Sequence, residues 1–259
     1  MSDLVLTSVM EGIATLTMNR PEAFNALNAD LMSALAANIG RCSVDPGVRA
    51  IIVTGAGKAF CGGGDLKWAM SAPGGAAAAL HGLAGQFHVA ITEIRRMSKP
   101  VIAAVNGVAA GGGFSLALAC DFRVLASSAV LKQAYTSAGL SLDGGGTFSL
   151  PRLVGLARAL EITAFDAPIP AEQALAWGMA TRVVAPDQLM TTANEMARTI
   201  ARGSLHSFGV AKRLLTDSLD TSFETQLERE RKGLTTCVAH VDGQEGLRAF
   251  AEKRKPQFS

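Results

Sequence analysis

The chain has 259 residues, 49% hydrophobic and 18% charged, which suits one large α/β domain or one domain with a helical appendage. A net charge of +2, from 24 basic and 22 acidic residues, gives no electrostatic case for nucleic-acid binding. Cys42, Cys61, Cys120 and Cys237 are widely spaced without a CxxC pair, and there are only four histidines. That pattern predicts reduced thiols in a cytoplasmic protein and argues against disulfides and metal ligation. Residues 1–30 lack a basic stretch followed by an apolar block, so no signal peptide is expected.

Leu4 to Val9 and Ile13 to Met18 alternate apolar and polar residues, which predicts a half-buried hairpin turning at Glu11-Gly12. Residues 28–40 carry Leu31, Leu35 and Ile39 at helical spacing and stop at Gly40. Arg49 to Thr54 reads as a buried strand, followed by a loop and a first glycine triplet, Gly62-Gly63-Gly64. Ser71 to Ala79, rich in Gly and Ala, is expected to be mobile; residues 80–97 form an amphipathic helix carrying His81 and His88.

Val101 to Cys120 runs without a charge, but its grammar is not that of a membrane span. Val101–Val105 predicts a buried strand, Asn106-Gly107 breaks it, and the second triplet, Gly111 to Gly113, precedes a helical segment. A triplet inside one helix would cost roughly 1 kcal/mol per glycine against alanine. At a helix N-terminus it serves either a tight packing turn or a turn whose bare N–H groups approach an anion or a carbonyl oxygen. Phe122 to Ala126 is another strand, and Gly144 to Gly146 form a third triplet. Beyond it the chain turns helical and charge-rich. Pro170 opens a helix that stops at Gly178, a longer one runs from Asp187 to near Gly203, and Thr221/Glu224 and Asp242/Glu245 have capping-box spacing.

Several of these segments, in order, resemble the crotonase (enoyl-CoA hydratase/isomerase) superfamily. They are Asn19-Arg20-Pro21-Glu22-Ala23-Phe24-Asn25-Ala26-Leu27, Ala59 to Lys67, Ala104 to Asp121, Gly144 to Thr147, and the tail from Gly246. The resemblance spans residues 4–258 and implies an α/β core of strand–strand–helix turns over residues 1–200. It also implies a C-terminal helical region, 201–259, that builds homotrimers or hexamers. The ligand it implies is an acyl-CoA, with no cofactor beyond the CoA thioester, no metal, no nucleic acid and no membrane. Two backbone amides, Gly64 and Gly112 by motif position, would hold the thioester oxygen. Such donors stabilise the charge that develops there in the transition state. Where this chain has Gly62 and Gly64 the family usually has alanine, but a backbone donor needs no side chain.

The resemblance is less specific for the reaction. Hydratases of the family use two glutamates; their positions here hold Ser115 and Tyr135, poor replacements for activating water near neutral pH. Asp143, before the third triplet, matches the single catalytic aspartate of other members, and the tail looks most like isomerases of the 1,2-epoxyphenylacetyl-CoA type. The 4-chlorobenzoyl-CoA dehalogenases share that aspartate and add a histidine on the preceding helix, where His88 falls. The expectation is an acyl-CoA isomerase in which Asp143 moves the proton. An unusual hydratase, a dehalogenase and a non-catalytic acyl-CoA binder are the alternatives. Phe24, Gly62, Asp65, Leu66, Lys67, Tyr135, Phe250 and Lys253 are the expected CoA or substrate contacts, Phe250 and Lys253 across a subunit boundary. Tyr135 is expected to hydrogen-bond Asp143, and Trp68, Tyr135 and Phe87 to wall the acyl pocket. His88 and Ser115 are two further candidates.

Overall fold

The first two glycine triplets each come after an apolar strand and a break, and the chain folds accordingly. In the computed structural model, which describes residues 3–259, β1 (Val5–Met10) and β2 (Ile13–Met18) form an antiparallel hairpin. Glu11 and Gly12 turn it at φ values of 52° and 76°, the left-handed pair that a two-residue hairpin favours. β3 (Ala50–Gly55) is buried throughout and joins β2 in parallel, as a continuous apolar strand does when both faces are covered. The chain then leaves that sheet, and β4 (Ala59–Cys61) begins a second one. The alternation repeats: β5 (Val101–Val105) and β7 (Phe122–Ala126) extend the large sheet, β6 (Val108–Ala110) and β8 (Val130–Lys132) the small one. β9 (Ile169–Pro170) and β10 (Arg182–Val184) complete the orders β1-β2-β3-β5-β7-β10 and β4-β6-β8-β9.

Helices fill the gaps between strand pairs. α1 (Ala29–Val44) precedes β3; α2 (Leu66–Ser71) and α3 (Gly75–Arg96) follow β4; α4 (Gly112–Ala119) follows β6. α5 (Gly146–Val154) and α6 (Leu156–Phe165) come after β8, and α7 (Ala171–Ala176) after β9. The C-terminal part holds α8 (Leu189–Ala201), α9 (Leu205–Asp217), α10 (Phe223–Ala239) and α11 (Val241–Ala251). This is the expected α/β architecture of strand–strand–helix turns. Among the described residues no helix is long and apolar enough to cross a membrane.

α4 is the innermost helix, with all eight residues buried, including Phe114 with no exposed surface. Burying such a side chain contributes about 1.5–3 kcal/mol. The C-terminal end of α4, where the helix dipole is negative, receives a buried cation: Arg123 Nη1 donates to Cys120 O at 2.6 Å, while its Nε donates to Met179 O, after α7, at 2.6 Å. Beside it, Lys212 of α9 donates to Asp121 Oδ2 at 2.8 Å and to Ile94 O at 2.6 Å, which fixes α9 to the core. Burial dominates both ions, pushing the Asp121 carboxyl up and the Lys212 ammonium down.

Several local expectations need correction. α1 runs past Gly40 to Val44, because Ile39 and Cys42 still face the core. β1 is an exposed edge strand rather than half-buried; Leu6, Val9 and Met10 are open on it. The stretch expected to be mobile, 71–79, is the end of α2, a short turn and the first turn of α3. Its alanines favour helix more than its glycines oppose it. Pro170 caps α7 rather than lying in its first turn. Ser222 and His240, not Thr221 and Asp242, cap α10 and α11: their side chains accept from Thr225 N and Asp242 N.

Candidate active site

The segment Asn19 to Leu27 is a scaffold for the first glycine turn. Asn25, fully buried, donates to Ala59 O at 2.8 Å and Ala56 O at 3.0 Å and accepts from Arg20 N at 2.9 Å. Leu27 and Gly64 then form an isolated parallel bridge: Leu27 N donates to Gly63 O at 2.7 Å, and Asp65 N to Leu27 O at 2.8 Å. A parallel bridge of this kind uses the groups flanking Gly64 and leaves its own N–H facing away. The second turn leaves another. Gly112 is the first residue of α4, where an N–H has no intrahelical partner. Among the described residues neither amide has a hydrogen-bond acceptor in the protein.

The two turns meet backbone to backbone. Gly63 sits at φ 98°, and a Cβ there would come within 2.9 Å of Ala110 O and 3.3 Å of Gly112 N. The third turn closes the arrangement. Gly144, at φ 60°, lies so near the Phe87 ring that a Cβ would fall 2.1 Å from Phe87 Cε1. Phe87 is buried and also lies against Gly112, so α3 is wedged between the second and third turns.

Together the turns enclose a cavity of about 310 Å³, the size of an acyl-and-thioester end rather than of a whole CoA ester. Of the expected site residues, Gly62, Gly64, Leu66, Gly112, Tyr135 and Asp143 line it. Its apolar wall comes from Leu80, Leu83, Ala84 and Phe87, one face of α3 at i, i+3, i+4 and i+7 spacing. That periodicity was legible beforehand as amphipathicity, but only the fold shows what the apolar stripe covers. Leu140, Ala138 and Ser141, from the loop before the third turn, had no sequence signal.

Other expected residues lie off the lining. Asp65 is engaged structurally, with Oδ1 capping α2 by accepting from Trp68 N at 3.0 Å and Oδ2 paired with Arg20 at 3.1 Å. Phe24 is largely exposed at φ 53°, and its carbonyl accepts from Gly62 N at 2.8 Å. Lys67 is exposed on α2, and Trp68 packs on the hydrophobic core instead of walling the pocket. Phe250 is 86% exposed, and Lys253 is also exposed just beyond α11; neither reaches this cavity within the chain.

Two polar pairs define the chemistry. Ser115, 1% exposed inside α4, faces Tyr135, with the hydroxyls 3.3 Å apart. Burial pushes the Tyr135 phenol up to about 12, so it stays protonated at any working pH. The expected side-chain bond from Tyr135 to Asp143 is not formed; the phenol oxygen instead lies by the Asp143 backbone N–H. The Asp143 carboxylate points to His88, with Oδ1 2.6 Å from His88 Nε2. Both are partly solvent-accessible, His88 at 56% and Asp143 at 35% of the side chain. One wall of the cavity thus carries a single carboxylate backed by an imidazole, and the other presents unpaired amides. Such a site can move a proton beside a polarised carbonyl.

Comparison with known proteins places this geometry. The sequence model of the enoyl-CoA hydratase/isomerase family matches residues 8–259. The chain is 37% identical over 260 residues to the 1,2-epoxyphenylacetyl-CoA isomerase of Escherichia coli, covering 100% of this chain and 99% of that protein. It is 36% identical over 250 residues to the crotonyl-CoA hydratase of Syntrophomonas wolfei, covering 96% and 95% respectively. A crystal structure of an enoyl-CoA hydratase from Polaromonas sp. JS666 superposes with a TM-score of 0.93 at 34% identity, over 98% of this chain and 99% of that one. Fold, full-length coverage and identity agree, and the chain belongs to the enoyl-CoA hydratase/isomerase family of the crotonase superfamily.

Proposed function

We propose that this protein is an acyl-CoA isomerase. The observation that carries this reading is the composition of the cavity: Asp143 is the sole carboxylate on its lining among the described residues. The two positions where the family's hydratases use glutamates hold the neutral hydroxyls of Ser115 and Tyr135. Hydration needs a base for water and an acid for carbon, whereas isomerisation needs one group that removes a proton and returns it. In this reading the thioester oxygen accepts from the amides of Gly64 and Gly112. Asp143 takes a proton from the acyl carbon next to the double bond, charge moves onto the oxygen, and the same carboxylic acid returns the proton two carbons away. His88, in contact with the carboxylate, positions it. The similarity to an isomerase by name supports the reading; the similarity to hydratases by name is the reason it needs a direct test.

The test offers the purified protein 3-enoyl-CoA and 2-enoyl-CoA in heavy water and follows products and deuterium by mass spectrometry. Interconversion of the two that disappears in Asp143→Asn is expected. Hydration of the 2-enoyl ester as the main activity overturns the proposal, and the absence of any turnover with retained ester binding makes the protein a binder.

The His88–Asp143 contact favours one second reading, an aryl-CoA dehalogenase. There the carboxylate attacks the halogen-bearing ring carbon, halide leaves, and water activated by His88 hydrolyses the aryl ester. Chloride release from 4-chlorobenzoyl-CoA separates it from the isomerase.

The remaining proposals concern the surroundings of the site. The enzyme works in the cytoplasm without a cofactor beyond the substrate's own CoA, and Phe24 and Lys67 contact the CoA moiety. Residues 201–259 assemble the chain into a homotrimer or a hexamer, bringing Phe250 and Lys253 to a neighbouring subunit's ligand. Exposed Phe223, Leu234, Val241, Leu247 and Phe250 on α10 and α11 support an assembly surface there. Light scattering that returned a mass of 26.8 kDa, a single chain, would exclude assembly.

A further inference from the structure

We infer that a second cavity, where the C-terminal ends of α3, α4, α5 and α9 come together, is a binding site for an aliphatic carboxylate whose head meets Arg95 and whose chain covers the leucines at the mouth. The cavity is about 470 Å³ and shares no lining residue with the one that holds Asp143. The inference therefore stands apart from the acyl-CoA reading.

The first support is a surplus of positive charge. Arg95, Arg123, Arg152 and Lys212 line the cavity against one carboxylate, Asp121. Helix C-termini attract cations, and three of the four are spent that way or on carboxylates. Lys212 donates to Ile94 O and Asp121, Arg123 to Cys120 O and Met179 O, and Arg152 to Phe148 O at 3.0 Å and exposed Asp220 at 3.3 Å. Arg95 is left over. Among the described residues its guanidinium makes no hydrogen bond and no ion pair, and only lies over the Phe148 ring, 4.8 Å from the centroid. Burial is the largest influence on Arg95 and pushes its pKa down; Asp121 raises it, and Arg152 and Arg96 lower it further. A cation partly withdrawn from water without an acceptor carries a cost that a bound anion removes.

Two more donors on the lining are unused. Arg123 Nη2 has no acceptor among the described residues. Ser149, 5% exposed, has a hydroxyl without any hydrogen bond among them. Guanidinium forks and hydroxyls are the donors that carboxylates take up. Asp121 does not compete for them, because its Oδ2 already accepts from Val101 N and from Lys212, both at 2.8 Å.

The mouth sets the rest of the ligand. Leu215 and Leu219 stand there 75% and 68% exposed, with Leu118 buried further in. A bare, strongly hydrated anion such as phosphate would leave these side chains in water, whereas an alkyl chain ending in a carboxylate covers them as its head reaches the arginines.

The experiment is calorimetric titration of the full-length protein with octanoate. One site per chain is expected, which n-octanol, the same chain without the charge, does not fill. Octanoate affinity should fall about tenfold in Arg95→Gln, which loses a charged partner for the head, and a few-fold in Ser149→Ala. Should Arg95→Gln fail to fold, Ser149→Ala decides. Ala84→Phe, which fills part of the Asp143 cavity, should leave octanoate binding unchanged. No octanoate binding, as when a second copy of the chain closes the mouth, overturns the inference. So does equal binding of octanol, unaltered affinity in the Arg95 and Ser149 variants, or loss in Ala84→Phe, which would put the acid in the other cavity. Octanoate is no thioester, so the result is independent of the isomerase test.

Discussion

His88 Nε2 lies 2.6 Å from Asp143 Oδ1, a contact between residues 55 positions apart that joins α3 to the loop before α5. The pair is held from behind, because Phe87, next to His88, fills the space that Gly144, next to Asp143, leaves open. A carboxylate fixed by an imidazole has one favoured orientation toward the cavity. His88→Ala is therefore expected to lower kcat for 3-enoyl-CoA roughly 10- to 100-fold while KM changes little, with His88→Gln recovering part of the loss. Unchanged kcat in His88→Ala would reduce the contact to a surface pairing.

The wedge itself can be tested by stability. Gly144→Ala places a methyl group 2.1 Å from Phe87 Cε1 on a backbone at φ 60°, both unfavourable. The expected loss is about 2–4 kcal/mol in urea unfolding, from overpacking and backbone strain. Gly64→Ala is the contrast, because a Cβ there meets nothing within 4 Å and its φ is ordinary. Its stability should stay within about 0.5 kcal/mol of the wild type.

Tyr135 is the only tyrosine in the chain, so its ionisation can be watched directly by absorbance near 295 nm. With the phenol pushed up to about 12 by burial, the native protein should show no tyrosinate at pH 10, where the unfolded protein is half ionised. The sign follows: this group's contribution to stability is complete below pH 10 and is lost as pH rises from 10 toward 12. A native titration centred near 10 would mean that the hydroxyl is in water.

Removing Lys212 leaves Asp121 a buried carboxylate without its cation. Lys212→Met should destabilise by about 3–5 kcal/mol near pH 8. Burial already raises the Asp121 carboxyl, and the lost ammonium was among the influences holding it down. In the variant the folded state therefore binds a proton more readily than the unfolded one, and stability rises as pH falls toward the ordinary carboxylate range. Urea unfolding at pH 5 should show a smaller deficit than at pH 8. An equal deficit at both would locate the damage in packing rather than charge.

Much of this molecule was legible in its residues. The glycine triplets announced the three turns, and apolar runs, continuous in β5 and broken only by Arg123 in β7, announced the strands of the large sheet, because both signals are local. The three-residue strands β6 and β8 were not, since Val108–Ala110 and Val130–Lys132 are too short for any periodicity and exist because the first sheet's strands deliver them side by side. Helix caps slipped by one or two residues, Ser222 for Thr221 and His240 for Asp242, as neighbouring polar side chains compete for the same amides. In the site, Gly64, Gly112, Tyr135 and Asp143 were found through motif position and share one cavity. The Ser115–Tyr135 and His88–Asp143 contacts were out of reach, because a sequence does not state which distant side chains a fold makes adjacent.

The close approach of Gly63 to Gly112 has a consequence for how this protein can change. Backbone packed against backbone offers few side chains for substitution to alter, so this part of the cavity gives mutation little to reshape. The polar groups of the site are side chains instead, Tyr135 and Asp143 on the lining with Ser115 and His88 in contact with them, each exchangeable by a codon or two. New reactivity can therefore be sought by randomising those four positions, with the three turns left untouched as an inherited frame.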